Sequence, residues 1–168
     1  TGRDIKIETP RKQPTPGGGS VAALAGALAA SMGEMTLNYS IGKKELAAFD
    51  PRLRSALAEM NLARQLLLGL MVEDQQAYEA IVAAKKLPAN APQREPEIAG
   101  ALLAGIRVPQ VIGATALAIL QRADALVEEV NRYLLSDLAV CCELSMATIR
   151  SSIYNVRTNL PEVSNPAE

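Results

Sequence analysis

The feature that most constrains the fold is a long apolar pattern with a period close to 3.6 residues, between Pro51 and Lys86. Leucine, methionine and alanine recur three or four residues apart along it, which places them on one face of a helix. Pro51 suits the first turn of such a helix, and Leu87 followed by Pro88 is typical of its end. The sequence therefore predicts one long amphipathic helix over this range.

A second helix is predicted over Ser20–Met32, where alanine and leucine dominate and Ser20 is a candidate N-terminal cap. At this length the segment is too short to span a bilayer. Ala22, Gly26 and Ala30 are spaced four apart, so they share one helical face along which another helix can approach closely. We expect a core helix, and no membrane partner.

The second half of the chain also reads as helical. A proline-rich loop at 88–96 precedes a helix over Glu97–Leu120, which Pro109 must kink or split. A last helix is predicted over Ser136–Val156, with Ser136 as a cap and Asp137 in the positive first turn. No segment alternates with a period of two, so the predicted fold is an all-α bundle of four to five helices, two of them long and one kinked at Pro109.

The length of 168 residues fits a single domain with a sizeable core. Residues 1–19 combine basic residues, prolines and three glycines, which predicts an extended arm that ends in a turn; residues 20–160 form the helical domain and residues 161–168 a tail. Because 49% of the residues are hydrophobic and the helices are long, we expect one helical face to be buried in a second copy, as a homodimer.

Composition excludes several classes of function. The 17 basic and 18 acidic residues nearly cancel, and the chain has no Trp and one Phe, which disfavours nucleic-acid binding. The absence of histidine removes Ser-His-Asp and Cys-His sites and most zinc sites, so we expect no metal. Acid–base chemistry must then rely on Asp, Glu, Lys, Tyr or Cys.

The two cysteines predict the compartment. Cys141 and Cys142 are adjacent in an apolar run, where their side chains diverge on a helix and do not easily bridge one another. We interpret them as reduced core or interface residues, which indicates a cytoplasmic protein. The basic arm and the apolar run imitate a secretory signal, but the arm is long and the triple glycine interrupts it, so export is disfavoured.

The glycine run resembles a nucleotide-binding turn only formally. Gly17-Gly18-Gly19-Ser20-Val21-Ala22 matches G-x-G-x-x-A, but no strand precedes it and no Gly-Lys-Ser/Thr follows. Two interpretations remain: free backbone N–H groups at a helix N-terminus that attract an anion or a polarised carbonyl, or a flexible turn that permits close packing.

Two acids are candidates for chemistry. Asp74 and Tyr78 lie four residues apart on one face of the long helix, at the margin of its apolar stripe. Asp74 is a possible general acid with a raised pKa, although a solvated rim charge is the simpler interpretation. Asp137 is explained fully as a first-turn acid.

The remaining polar candidates have ordinary explanations as well. Asn131, Asn155 and Asn159 flank or end the last helix, where asparagine is common. Gly42-Lys43-Lys44 is typical of a helix C-terminus with compensating charges.

Taken in order, these motifs resemble the cyclodeaminase/cyclohydrolase family, whose best-known member is the cyclodeaminase domain of formiminotransferase-cyclodeaminase. The resemblance runs from Pro14 to about Leu160 and its most specific part is PTPGGGSVAAL. Two departures are that residues 1–13 do not read as the short helix expected there, and that Val130-Asn131 stands where Gly-Asn is expected. The motifs that carry the resemblance are PTPGGGSVAAL, Gly42-Lys43-Lys44, EDQQAY at 73–78, Lys86-Leu87-Pro88, Val108-Pro109, Ser136-Asp137 and NVRTNL at 155–160.

The resemblance implies an all-helical, dimeric enzyme that closes 5-formimino-tetrahydrofolate to 5,10-methenyl-tetrahydrofolate and releases ammonia, with the folate as substrate and no cofactor. Some stand-alone relatives act instead as methenyltetrahydrofolate cyclohydrolases. A third alternative, from a different class, is a non-catalytic helical dimer that binds folate or a partner protein.

The resemblance also implies roles for residues. Asp74 and Asp137 become candidates for acid–base and electrostatic roles, and the turn Gly17–Ser20 for backbone donors. Lys43 would face the glutamyl carboxylate of the folate. The complete set of expected substrate-binding residues is Gly17, Gly18, Gly19, Ser20, Lys43, Tyr78, Asn131, Asn155 and Asn159, with the three asparagines at the pterin edge.

Overall fold

The described part of the chain, residues 15–164 in a computed structural model, forms a bundle of α-helices without strands. This confirms the all-α prediction, with helices that are longer than expected. The helices are α1 (Gly18–Asn38), α2 (Asp50–Lys85), α3 (Arg94–Asp124) and α4 (Leu135–Ser164), with two short 3-10 segments at Lys44–Phe49 and Arg132–Leu134.

The four helices form a closed ring. Each packs against its neighbour in sequence, and α1 packs against α4, while α1 and α3 meet more sparsely across the centre. Because the connections between neighbours are short, successive helices run antiparallel. The N-terminus of α1 therefore lies at the same end of the bundle as the C-terminal parts of α2 and α4.

Small residues let α1 sit deep in this ring. A Cβ atom on Gly26 would lie 3.1 Å from Leu67 Cδ1 of α2 and 3.1 Å from Thr148 Cγ2 of α4. Thr148 also donates a hydrogen bond to the carbonyl oxygen of Ala22 (3.3 Å). The predicted close-packed face of the first helix is thus confirmed, and it contacts two helices at once.

The predicted end of the first helix was wrong. The helix starts at Gly18 and continues through Gly33 to Asn38, because Gly33 provides space for the Met60 side chain rather than a stop. With 21 residues, α1 is long and apolar enough to cross a membrane by length and composition, as is α3. A core helix of a globular bundle passes the same test, and α1 contributes many of the core alanines.

Three other boundaries differ from prediction. The third helix, predicted over Glu97–Leu120, runs from Arg94 to Asp124, so it starts inside the predicted loop at 88–96. Of the two expectations for Pro109, a kink or a split, the split does not occur, because α3 is one element that contains the buried Pro109. The last helix begins at Leu135, so Ser136 does not precede it as a cap, although Asp137 does lie in its first turn. Residues 161–164 continue α4 rather than forming a tail, while residues 1–13, which we did not expect to form a helix, lie outside the described part.

The cysteines occupy the positions expected of reduced core residues. Both are free; Cys141 is fully buried and Cys142 half-buried. Burial raises the pKa of the Cys141 thiol to about 12, so this thiol stays protonated at neutral pH. It acts as a small apolar side chain in the core.

The fold predicts a sharp contrast between two leucines of α2. Leu67 is fully buried against α1, whereas Leu62 is 66% exposed. Leu67→Ala should lower the free energy of unfolding by about 2–5 kcal/mol, because it removes apolar contacts and leaves a cavity. Leu62→Ala should change it by less than about 0.5 kcal/mol. Urea denaturation of both variants checks this, and equal losses would contradict the placement of α2.

Candidate functional site

The site is built where the N-terminus of α1 meets the C-terminal half of α2. The residue before α1, Gly17, has extended backbone and makes no side-chain capping bond. Instead, the Ser20 hydroxyl donates to Asp74 Oδ2 of α2 over 2.8 Å, and the Ser20 backbone N–H also bonds this carboxyl. Asp74 therefore satisfies a donor at the start of α1 from a neighbouring helix, and Ser20 is not the cap that the sequence predicted.

Glycine is required for this contact. A Cβ atom on Gly19 would overlap Asp74 Oδ1, because the carboxyl lies directly against the first turn of α1. Gly19 and Ser20 are both buried beneath it. The last glycine of the PGGGS motif, Gly19, is thus explained by the approach of a carboxyl from another helix.

The environment of Asp74 raises the pKa of its carboxyl group. The side chain is half-buried, and this desolvation raises the pKa of Asp74 above its ordinary value. The hydrogen bonds from the Ser20 hydroxyl and N–H act in the opposite direction, but burial is the larger effect. Asp74 is therefore protonated at higher pH than an exposed aspartate, as a general acid requires.

A cavity of about 570 Å³ opens at the glycine turn, between the first turns of α1 and the C-terminal half of α4, although neither Asp74 nor Ser20 is among its lining residues. Its volume lies in the range of small-molecule sites. Apolar side chains and the glycine backbone form most of its wall, with polar groups at one end. The lining residues are Pro16, Gly17, Gly18, Val21, Ala22, Ala25, Ala147, Ser151, Tyr154 and Asn155.

Asn155 is the amide closest to the glycine turn. Its Nδ2 donates to the carbonyl oxygen of Ser151 (3.0 Å), which fixes the side chain. Its Oδ1 would lie 3.4 Å from a Cβ atom on Gly18, so it borders the turn opposite Asp74. The buried Gly19 lies against Asp74, while Gly17, Gly18 and Asn155 line the cavity.

Two further predicted residues lie at this end of the bundle but outside the cavity. Asn159 donates through Nδ2 to the carbonyl oxygen of Gly105 (2.7 Å), so in this conformation it ties α4 to α3. Tyr78 lies one turn beyond Asp74 on α2 and is 44% exposed. We call Gly17–Ser20, Asp74 and Asn155 the glycine-turn cluster.

The other predicted residues lie at the opposite end, and we call Lys43, Asn131 and Asp137 the loop cluster. Asn131 accepts through Oδ1 from the Tyr133 N–H (3.2 Å), and its own N–H donates to Ser40 Oγ (2.9 Å). Asp137 is about 27 Å from Asn155 along α4, at 1.5 Å per residue. One chain therefore does not bring the two predicted carboxylates together.

Lys43 is not at a helix end as predicted. α1 ends at Asn38, and Gly42 follows in a left-handed conformation (φ +80°) with its N–H on Asp50 Oδ1 (2.8 Å). Lys43 then precedes the 3-10 segment and lies 4.0 Å from Glu45. Its exposed ammonium remains able to meet a carboxylate.

The unexpected Val130 fits the loop that precedes α4. It is buried in the core, and no non-glycine residue of the described part, Val130 included, has a positive φ, so position 130 does not need glycine. Nearby, Glu129 is buried and pairs with Arg52, a contact that the sequence did not reveal.

Among residues 15–164 no group of three or more His, Cys, Asp or Glu side chains is arranged to hold a metal ion. The chemistry visible at the glycine turn is that of a carboxyl group, a hydroxyl group and backbone N–H groups.

Comparison with known proteins identifies the family. Residues 4–168 match the sequence model of the formiminotransferase-cyclodeaminase family. The chain belongs to this family. Its fold resembles that of formiminotetrahydrofolate cyclodeaminase from Thermotoga maritima, with a TM-score of 0.89 and 27% identity over 99% of this chain and 81% of the other.

Relatives in the formiminotransferase-cyclodeaminase family differ in name and length. Methenyltetrahydrofolate cyclohydrolase of Methylorubrum extorquens is 31% identical over 150 residues, which are 87% of this chain and 72% of the relative. Formimidoyltransferase-cyclodeaminase of Mus musculus is 29% identical over 97% of this chain, which corresponds to 31% of the mouse protein. The sequence resemblance is thereby confirmed at the level of a folate cyclodeaminase/cyclohydrolase family.

Sequence reasoning selected the members of the glycine-turn cluster but did not predict the hydrogen bond from Ser20 to Asp74. It assigned Ser20 as a cap and a backbone donor, and it selected Asp74 as a candidate acid against the simpler interpretation of a rim charge. It did not select Ser151 or Tyr154, which line the cavity from α4. The only available signal was the spacing of Ser151 and Tyr154 relative to Asn155 on one helical face.

Two neighbouring glycines test the geometry of this family's signature. Gly19→Ala places a methyl group on the Asp74 carboxyl and must displace it, whereas Gly18→Ala meets Asn155 at an ordinary 3.4 Å. Thermal unfolding should show Gly19→Ala as the less stable variant, by about 1–3 kcal/mol, because an overpacked contact costs that much. Gly18→Ala should be neutral or stabilising, since alanine favours helix. Equal stability of the two variants would show that Asp74 does not lie against Gly19.

Proposed function

We propose that the protein is a formimidoyltetrahydrofolate cyclodeaminase, which converts 5-formimino-tetrahydrofolate to 5,10-methenyl-tetrahydrofolate and ammonia. The observation that carries the proposal is the half-buried Asp74 carboxyl, bonded to Ser20 at the glycine turn beside a cavity of small-molecule size. Family membership supplies the substrate class.

The chemistry requires one well-placed acid. N10 of the folate attacks the formimino carbon, and the N10 proton moves to the former imine nitrogen as the tetrahedral centre forms. That nitrogen must gain a further proton before the C–N bond breaks and ammonia leaves. Asp74 donates this proton.

The same carboxyl then serves a second purpose. Departure of ammonia leaves a cationic carbon shared between N5 and N10, and Asp74 is now ionised. A carboxylate in a partly desolvated site stabilises such a cation more strongly than one in water. Proton donation and charge stabilisation therefore come from one side chain.

The cavity supplies the remaining requirements for binding. Its apolar wall between α1 and α4 suits a flat ring, and Asn155 at its polar end offers an amide to a pterin edge, whose donors and acceptors match it. The N–H groups of Gly18 and Gly19 precede the first intrahelical bond, from the Val21 N–H to the Gly17 carbonyl oxygen, so they can face a polarised group of the substrate.

A methenyltetrahydrofolate cyclohydrolase is the second candidate, favoured by the similarity to the Methylorubrum protein over 87% of this chain. In that reaction water adds to the methenyl carbon, and the C–N5 bond breaks as N5 is protonated. The demand for an acid next to a tetrahedral centre is the same. The cyclodeaminase is preferred because the Thermotoga structure named for that activity matches 99% of this chain.

The absorbance of methenyl-tetrahydrofolate distinguishes these functions. With 5-formimino-tetrahydrofolate, the protein should form methenyl product together with ammonia. Asp74→Asn should lower the rate by about 10²–10⁴-fold, the usual contribution of a general acid, while circular dichroism stays unchanged.

Asp137→Asn removes the second predicted carboxylate, which lies in the loop cluster. Its rate is compared with that of Asp74→Asn. Accelerated loss of methenyl in place of its formation would establish the cyclohydrolase. Absence of turnover with both substrates would leave a non-catalytic folate-binding or scaffold dimer.

We further propose that the protein is a homodimer formed by the outer face of α1 and α4. Along α1 this face is free of charge, since Glu34, the helix's one charged residue, pairs with Arg64 (2.6 Å) away from it. Leu28 at its centre is 51% exposed. The members of the face are Val21, Ala25, Leu28 and Met32 of α1 with Val140, Leu144, Ala147, Ser151 and Tyr154 of α4.

A second copy is the occupant that fits this face, because of its length and symmetry. The face runs about 17 Å along α1 and about 21 Å along α4, at 1.5 Å per residue, and two such helices side by side form the central part of the roughly 800 Å² per partner that a stable interface needs. A two-fold axis that passes near Leu28, perpendicular to α1, would set the α1 helices of the two copies antiparallel. The loop cluster of one copy would then approach the cavity of the other, which would reunite the two groups of predicted residues.

Charge placed at the centre of the face should separate the copies. Leu28→Lys should convert a dimer into a monomer in sedimentation velocity at micromolar concentration, because a buried unpaired ammonium is strongly unfavourable. Leu62→Lys, at a leucine of α2 that is 66% exposed outside the face, is the matched control and should leave the mass unchanged. A wild-type monomer, or a dimer indifferent to Leu28→Lys, would contradict this interface.

A further inference from the structure

Ser20 differs from the other hydroxyl residues of α1. Ser31 and Thr36, and Ser40 just after the helix, each donate to the backbone carbonyl oxygen four residues earlier. Ser20 has no helical carbonyl at that position, because Pro16 precedes the helix. Its fully buried hydroxyl is directed across to Asp74 instead.

The two oxygens of Asp74 consequently have different surroundings. Both oxygens lie against Gly19, where a Cβ atom would overlap Oδ1 most closely, but Oδ2 is the one that accepts the Ser20 hydroxyl, at 2.8 Å. A neutral carboxyl group has one carbonyl oxygen, which is the better acceptor, and one hydroxyl oxygen, which carries the proton. Because Oδ2 accepts from Ser20, it takes the carbonyl role and leaves the proton to Oδ1. The carboxyl is held in one orientation from both sides.

We infer that Ser20 is a positioning residue that orients the Asp74 carboxyl so that Oδ1, the oxygen closest to Gly19, carries the transferable proton. The inference deepens the proposed function and rests on it for its catalytic consequence. Its structural part, the control of one carboxyl by one buried hydroxyl, holds whether or not the folate reaction is the right one.

The direction of the effect on titration follows from the geometry. The Ser20 hydroxyl stabilises the ionised carboxylate, so its loss makes ionisation harder and raises the pKa of Asp74 further. In Ser20→Ala the active, protonated form persists to higher pH, and the falling limb of the pH–rate profile moves upward. Without the hydroxyl the carboxyl also rotates more freely, so kcat falls.

The experiment compares Ser20→Ala with Ser145→Ala. Ser145 is equally buried, but its hydroxyl donates to the Cys141 carbonyl oxygen within α4, remote from Asp74. We expect Ser20→Ala to lower kcat on the order of 10- to 100-fold with little change in KM, as misplacement of a catalytic group does. Ser145→Ala should leave the pH profile in place. Ser20→Cys, which keeps a weak donor of similar size, should fall between wild type and Ser20→Ala.

Carbon-13 NMR of the aspartate carboxyls, with Asp74→Asn to assign the signal, gives a readout that needs no turnover. The Asp74 titration should move to higher pH in Ser20→Ala and stay unmoved in Ser145→Ala. An unchanged Asp74 titration in Ser20→Ala would overturn the inference. If the titration moves but wild-type protein turns over neither folate, the proposed function fails while the structural role of Ser20 stands.

Discussion

The structure depends on how closely α1 can approach its neighbours. Between Ala22 and Gly33 its buried positions are all alanines and glycines, and at Gly26 the side chains of Leu67 and Thr148 come within 3.1 Å of where a Cβ atom would be. Bulky residues there would force α2 and α4 apart, because interiors packed at crystal-like density have no room for added volume. The positions of α2 and α4 relative to α1 follow from this contact.

Close packing also determines where chemistry is possible. Because α2 lies so near α1, the carboxyl of Asp74 reaches the first turn of α1 and occupies the space that a side chain on Gly19 would need. Burial there raises the pKa of Asp74, while Ser20 limits that rise and fixes the orientation. A carboxyl on the solvent side of α2 would have neither property.

Much of the fold could be predicted from the sequence, because apolar periodicity reports directly on helices. The helix beginning near Pro51 was placed to within one residue at each end, whereas Gly33 was wrongly taken as the end of the first helix because tertiary packing overrides local propensity. The site was harder. Local spacing could suggest Asp74 and Ser20 separately, but their contact joins residues 54 apart, and Asp137 lies at the far end of an antiparallel bundle.

Because a residue of α2 caps α1, the activity of the site depends on the docking of these two helices. Most helices complete their own N-termini with nearby side chains, but the start of α1 is completed only when the second half of α2 has docked. Fraying of that first turn, a motion of low free energy in most proteins, would release Asp74 into water while the rest of the bundle stays intact. The raised pKa of Asp74 therefore exists only when α1 and α2 are packed together, and the titration of Asp74 reports on how well these two helices are docked.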